Sequence, residues 1–153
     1  MLPRTRDCFE KIEADAKLDY CLPAKGALPG HVLKHSYSVV ERHLERASPM
    51  TYKIGYTHDA YCRFYNSKYG YCTEWRNRWE GMVVVYASPD TVSASFVEAA
   101  MIQRFMGMQG CKNERDGGEG VVQSEDGPFL VYYVFRSFRR PSNAPLLMGY
   151  GSA

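Results

Sequence analysis

The chain has 153 residues, enough for one hydrophobic core and too few for two comfortable domains. Apolar residues make up 45% and charged residues 24%, the balance of an ordinary soluble globular domain rather than of a disordered or membrane-embedded chain. The net charge of +2 excludes a protein that binds nucleic acid through a strong overall positive field, so any such affinity must come from a local basic face.

The five cysteines are odd in number and form no CxxC pair, which weakens any zinc-knuckle reading. With no signal-peptide-like run at the N-terminus, free thiols in an intracellular compartment, cytoplasmic or nuclear, are expected. The 12 tyrosines suit both the rim of a small sheet and a wet binding cleft.

In chain order, Asp7 caps a predicted helix over Cys8–Leu18, and Pro23, Gly26, Pro29 and Gly30 break it. His31–His35 is expected to be a strand. Ser38-Val39-Val40-Glu41 fits a capping box, predicting a helix from Ser38 to about Ala47. Thr51–Thr57 is β-rich, and Ala60–Lys68 predicts a short helix carrying Arg63. Tyr69–Gly81 has no clean period. Met82–Ala87 predicts a buried strand, and Ser88-Pro89-Asp90 opens a helix to about Met106. The glycine-rich stretch 107–127 predicts a loop, Phe129–Phe138 a last strand, and Pro141–Ala153 a frayed tail. These elements imply an α/β (α+β) fold, divided as an N-terminal extension 1–30, a core domain 31–140 and a tail 141–153.

Glu98 carries the chemistry. It shares Val92–Met106 with a single other charge, Arg104, among apolar neighbours. An ionised carboxylate there demands neutralisation, by a salt bridge to Arg104 or Lys112 or by a metal ion. Mg²⁺ takes one or two protein oxygens and fills its remaining positions with water and phosphate. Gly55 inside a strand pattern marks a kink, an edge or a close approach by another chain. Lys53 alternates away from Tyr52 and Ile54 onto the open face, where its charge can orient a water or lower the pKa of a nearby phenol. Arg63 is either a solvated cation or a fork for phosphate oxygens. Asn113, in a glycine-flanked loop, is expected to tie backbone.

Lys53-Ile54-Gly55, Arg63, Glu98 and Asn113 followed by Gly117-Gly118 resemble, in order, the motifs of the GIY-YIG nuclease superfamily. It is similar to a restriction-endonuclease-like branch with lysine in place of the second-motif tyrosine. The resemblance spans roughly residues 32–120. It implies a small, mainly antiparallel sheet of three or four strands flanked by helices, and a metal-dependent endonuclease acting on DNA. It further implies Mg²⁺ or Mn²⁺ on Glu98, Arg63 on the phosphate, and Tyr37, with Lys53, activating water. No Gly-Ile-Tyr triplet is present, so His35-Ser36-Tyr37 stands in for it, and Tyr52 is the other candidate for that tyrosine. All four catalytic candidates are expected around one hollow. Lys68, Arg76, Arg78 and Lys112 are the expected nucleic-acid contacts, and no membrane partner is implied. A homodimer pairing two active sites, or a separate DNA-reading partner, is compatible with so small a domain. The rival readings are a catalytically silent nucleic-acid-binding module on the same scaffold, using Trp75 and Trp79 for stacking, and a protein-docking domain.

Overall fold

The computed structural model describes residues 17–47, 49–117 and 127–137. The elements run β1 (Leu18–Tyr20), α1 (Pro29–Arg46), β2 (Met50–Thr57), α2 (Ala60–Tyr65), a 3₁₀ turn at Tyr71–Thr73, β3 (Gly81–Ser88), α3 (Thr91–Phe105) and β4 (Phe129–Ser137). The strands form one mixed sheet in the order β1-β3-β4-β2. β1 runs parallel to β3, while β4 is antiparallel to both β3 and β2. The architecture is the expected small α+β fold.

The last strand in the chain is thus a central one. Its sequence explains why: Phe129 through Val134 are all buried, an unbroken apolar-aromatic run that needs cover on both faces. On one face Tyr133 and Val131 join Tyr52, Ile54, Met101 and Phe105 beneath α1 and α3. On the other, Tyr132 and Val134 join Phe64, Tyr71, Trp79 and Met82 beneath α2 and the 3₁₀ turn. β2 is an edge strand. Met50, Tyr52 and Ile54 point into the α3 side and Lys53 points out, as its alternation predicts.

The N-terminal half departs from the sequence reading. Instead of a strand at His31–His35 and a helix from Ser38, a single helix runs from Pro29. Proline at the first helical position needs no N–H partner and has its φ already set. Val32, Ser36 and Val40, four residues apart, form the buried stripe. Ser36 satisfies its buried hydroxyl on Val32 O at 2.8 Å. Ser38 lies inside the helix, and Glu41 pairs with Arg104 at 2.9 Å instead of closing a cap. The boundary drawn between residues 30 and 31 falls inside α1, and β1, from the stretch before it, joins the sheet through β3. The helix expected over Cys8–Leu18 lies outside the described residues except at its end, where Leu18 opens β1. The tail expected at Pro141–Ala153 also lies outside them.

The other helices begin as the sequence directs. Asp59 caps α2 by accepting from Cys62 N at 2.9 Å, and Asp90 caps α3 by accepting from Ser93 N at 2.7 Å. Among the described residues no helix is long and apolar enough to cross a membrane.

Candidate functional site

After α3 the chain turns back along the free edge of β2. Tyr52 N donates to Gly110 O at 2.9 Å, and Lys112 N donates to Tyr52 O at 2.8 Å. One residue further, the side chain of Asn113 takes over the role of a neighbouring strand. Its Oδ1 accepts from Ile54 N at 2.8 Å, and its Nδ2 donates to Ile54 O at 2.9 Å. The backbone-tying role expected of Asn113 is what the structure places there. This side chain satisfies both peptide groups that an edge strand would leave open.

Beyond Asn113 the loop lies directly on α3. A Cβ at Gly117 would stand 2.8 Å from Ala99 Cα and 3.0 Å from Glu98 Oε1, so only glycine lets the backbone come this close. Glu98 is held below it, 7% exposed. Between loop and strand opens a cleft of about 620 Å³. Lys53, Lys112 and Arg115 bring positive charge to its lining; Glu74, Glu98, Glu114 and Asp116 bring carboxylates. The cleft crosses the β2 edge: Lys53 enters it from the α2 side of the sheet, Glu98 from the α3 side. A cation and a buried carboxylate facing one polar hollow suit an anionic ligand that also needs a hard ion.

Arg63 is placed elsewhere. On α2, its guanidinium donates to Tyr69 O at 2.8 Å and lies 4.1 Å from the centre of the Tyr71 ring. Burial works against its charge, but the hydroxyls of Tyr71 and Tyr132 outweigh that and raise its pKa. The two hydroxyls are 2.9 Å apart, and burial, with Tyr71 beside it, drives the Tyr132 phenol well above its usual value. This cluster lies on the same sheet face as Lys53 but does not line the cleft. It touches the lining through the edge-to-face pair Tyr71–Trp79.

Tyr37 is not at the cleft either. It lies on α1, where its hydroxyl donates to Ala100 O at 3.5 Å and its ring meets Phe105 edge-on, with the Arg104 guanidinium 5.8 Å from its centre. Tyr52, the other candidate, is fully buried among core residues, and burial, reinforced by the neighbouring Cys111, raises its phenol. Of the expected nucleic-acid contacts Lys112 lines the cleft, and Lys68 is exposed just after α2. Arg76 and Arg78 are exposed on the segment that supplies Glu74, Asn77 and Trp79 to the cleft.

The structure therefore brings Lys53, Glu98, Lys112 and Asn113 together. Arg63 is left beside them in a tyrosine cage, and Tyr37 is set apart. The sequence reading missed Tyr132 and Tyr71, the phenols around Arg63. One signal was available in Gly55, whose strand position announced a close approach. A Cβ there would meet Tyr132 Oη at 2.5 Å.

No family model, curated protein or solved structure matches this chain.

Among the described residues no group of three His, Cys, Asp or Glu side chains converges to hold a metal. The cleft lining includes one buried carboxylate, Glu98. That donor set fits Mg²⁺ or Mn²⁺, which bind through few protein oxygens, and does not fit a closed zinc site.

Proposed function

We propose that the protein is a metal-dependent endonuclease that hydrolyses phosphodiester bonds in DNA within the cleft at the β2 edge. The observation that carries this reading is that Lys53 and Glu98, far apart in sequence and on different elements, line the same hollow. Glu98 is the residue that would hold Mg²⁺ or Mn²⁺. Bound there, the ion supplies neutralisation of charge on the phosphodiester and on its leaving oxygen. The chain does the rest. Lys53 and Lys112 attract the phosphate, and the Lys53 ammonium orients the water whose oxygen bonds to phosphorus as the phosphorus–oxygen link to the leaving sugar breaks. The water gives up its proton to bulk solvent in the open cleft, and solvent returns one to the leaving sugar oxygen. Asn113 fixes the β2 edge so that Lys53 keeps its aim. Arg63, braced by Tyr69, Tyr71 and Tyr132, adds positive potential on the Lys53 face. Tyr37 has a packing place between α1 and α3 and no part in the proposed chemistry.

The experiment is cleavage of supercoiled plasmid and branched oligonucleotides by wild-type and Glu98→Ala protein, with Mg²⁺ and with chelator. Nicking by the wild type with Mg²⁺, lost in the variant and with chelator, is expected. Undiminished cleavage by a folded Glu98→Ala protein would overturn the assignment.

One observation favours a second reading, a DNA-binding module without catalysis: Arg63 and Tyr37 both stand outside the cleft. Such a module would bind the same DNA, cut nothing, and show no rise in melting temperature with Mg²⁺ or Mn²⁺.

A further inference from the structure

Trp75 and Trp79 are four residues apart and have opposite fates. Trp79 is buried at 6% exposure, whereas Trp75 is 77% exposed. Trp75 follows Glu74 and comes two residues before Asn77, and both of those line the cleft. Trp75 does not itself line the cleft; its indole is exposed on the short segment that supplies those two lining residues.

Its support is rigid. The Glu74 carboxylate accepts from Asn77 Nδ2 and, at 2.8 Å, from Trp79 Nε1. Arg136 donates to Asn77 O at 2.8 Å, and Arg78 N donates to Glu74 O at 3.2 Å. Arg78 itself adopts φ 50°, a left-handed conformation uncommon for a residue other than glycine. Cations stand nearby, although the cleft lining also carries the carboxylates of Glu74, Glu98, Glu114 and Asp116. Arg76 stands with its guanidinium 5.4 Å from the centre of the Trp75 ring, and Lys53 and Lys112 line the adjoining cleft.

We infer that Trp75 is a stacking platform for an unpaired nucleobase of the DNA held in the cleft, with Arg76 on the adjacent backbone phosphate. The inference rests on the proposed endonuclease reading and narrows its substrate to DNA that is single-stranded or branched beside the scissile link. An open aromatic face next to cations accepts the flat face of a base and its phosphate together. Bases inside a continuous duplex have both faces covered by their neighbours and cannot use such a platform.

The test measures binding by fluorescence anisotropy in the presence of chelator, so that cleavage is not required. Wild-type, Trp75→Ala and Trp75→Phe proteins are titrated onto a labelled single strand, a branched duplex and a fully paired duplex. Trp75→Ala is expected to weaken binding to the single strand and the branch roughly tenfold and to leave the paired duplex unchanged, while Trp75→Phe retains most of the affinity. Binding of the single strand should also quench wild-type tryptophan emission, because the exposed indole is the one covered. The ring touches solvent over most of its surface, so its removal leaves the fold intact. Equal affinity of Trp75→Ala and wild type for unpaired DNA, or an equal loss on the paired duplex, would overturn the stacking role alone. Failure of the wild type to bind any of the three DNAs would overturn the nuclease reading with it.

Discussion

Asn113 and Ile54 exchange two hydrogen bonds, a side-chain amide on one side and a peptide on the other, at 2.8 and 2.9 Å. Through this pair the loop after α3 is fastened to β2, and the cleft acquires a fixed wall. Each bond contributes about 1 kcal/mol net, so Asn113→Ala should destabilise the protein by about 2 kcal/mol. The urea midpoint should fall at unchanged slope. Asn113→Asp should cost a similar amount, because a carboxylate oxygen then faces Ile54 O. An unchanged midpoint in both variants would show that the loop is held by other contacts.

Gly55 and Tyr132 are cross-strand partners in β2 and β4, and the ring of Tyr132 occupies the space above Gly55. A methyl group at position 55 would force that ring aside. Gly55→Ala should therefore cost about 1–3 kcal/mol through overpacking. Removing the hydroxyl with Tyr132→Phe takes away the nearest clashing atom, so Gly55→Ala should cost less in that background. The difference should be at least about 0.5 kcal/mol in a double-mutant cycle. Strict additivity would contradict the contact.

His43 should give the fold a pH dependence. Its Nδ1 is 2.8 Å from Tyr133 Oη, and its pKa is lowered from 6.5 by burial first and by Arg46 second. Between its folded and unfolded values, the unfolded chain binds more protons. Stability is therefore complete above about pH 6.5 and declines as the pH falls toward the folded value. Urea midpoints measured from about pH 8 down to about pH 5 should fall more steeply for wild type than for His43→Gln. Parallel curves would refute the assignment.

The later half of the fold was legible because its signals are local. Asp90 opens a helix readable in sequence, β2 alternates, and β3 and β4 are unbroken apolar runs. The first helix was legible from Ser38 onward but not in its first turns, since two apolar residues at Val32 and Leu33 fit a strand as well as a helix. The four-residue repeat that decides it includes Ser36, a polar residue whose burial depends on a bond to its own helix. Lys53, Glu98 and Asn113 could be singled out from their settings, as a charge on an alternating strand, an acid on an apolar helix and an amide among glycines. Tyr132 could not. Its relation to Gly55 and Arg63 depends on β4 inserting between β3 and β2, a long-range pairing that no local pattern encodes.

The most direct measurement is the single-turnover cleavage rate of DNA with Mg²⁺ by Lys53→Met, by Glu98→Gln and by the double variant, each shown to be folded. Groups acting on one phosphate in one cleft lose their effect together. Each single variant should fall by at least roughly a hundredfold, and the double variant should be no slower than the worse of the two. Wild-type rates in either folded single variant, or losses that multiply in the double, would contradict a shared site for Lys53 and Glu98.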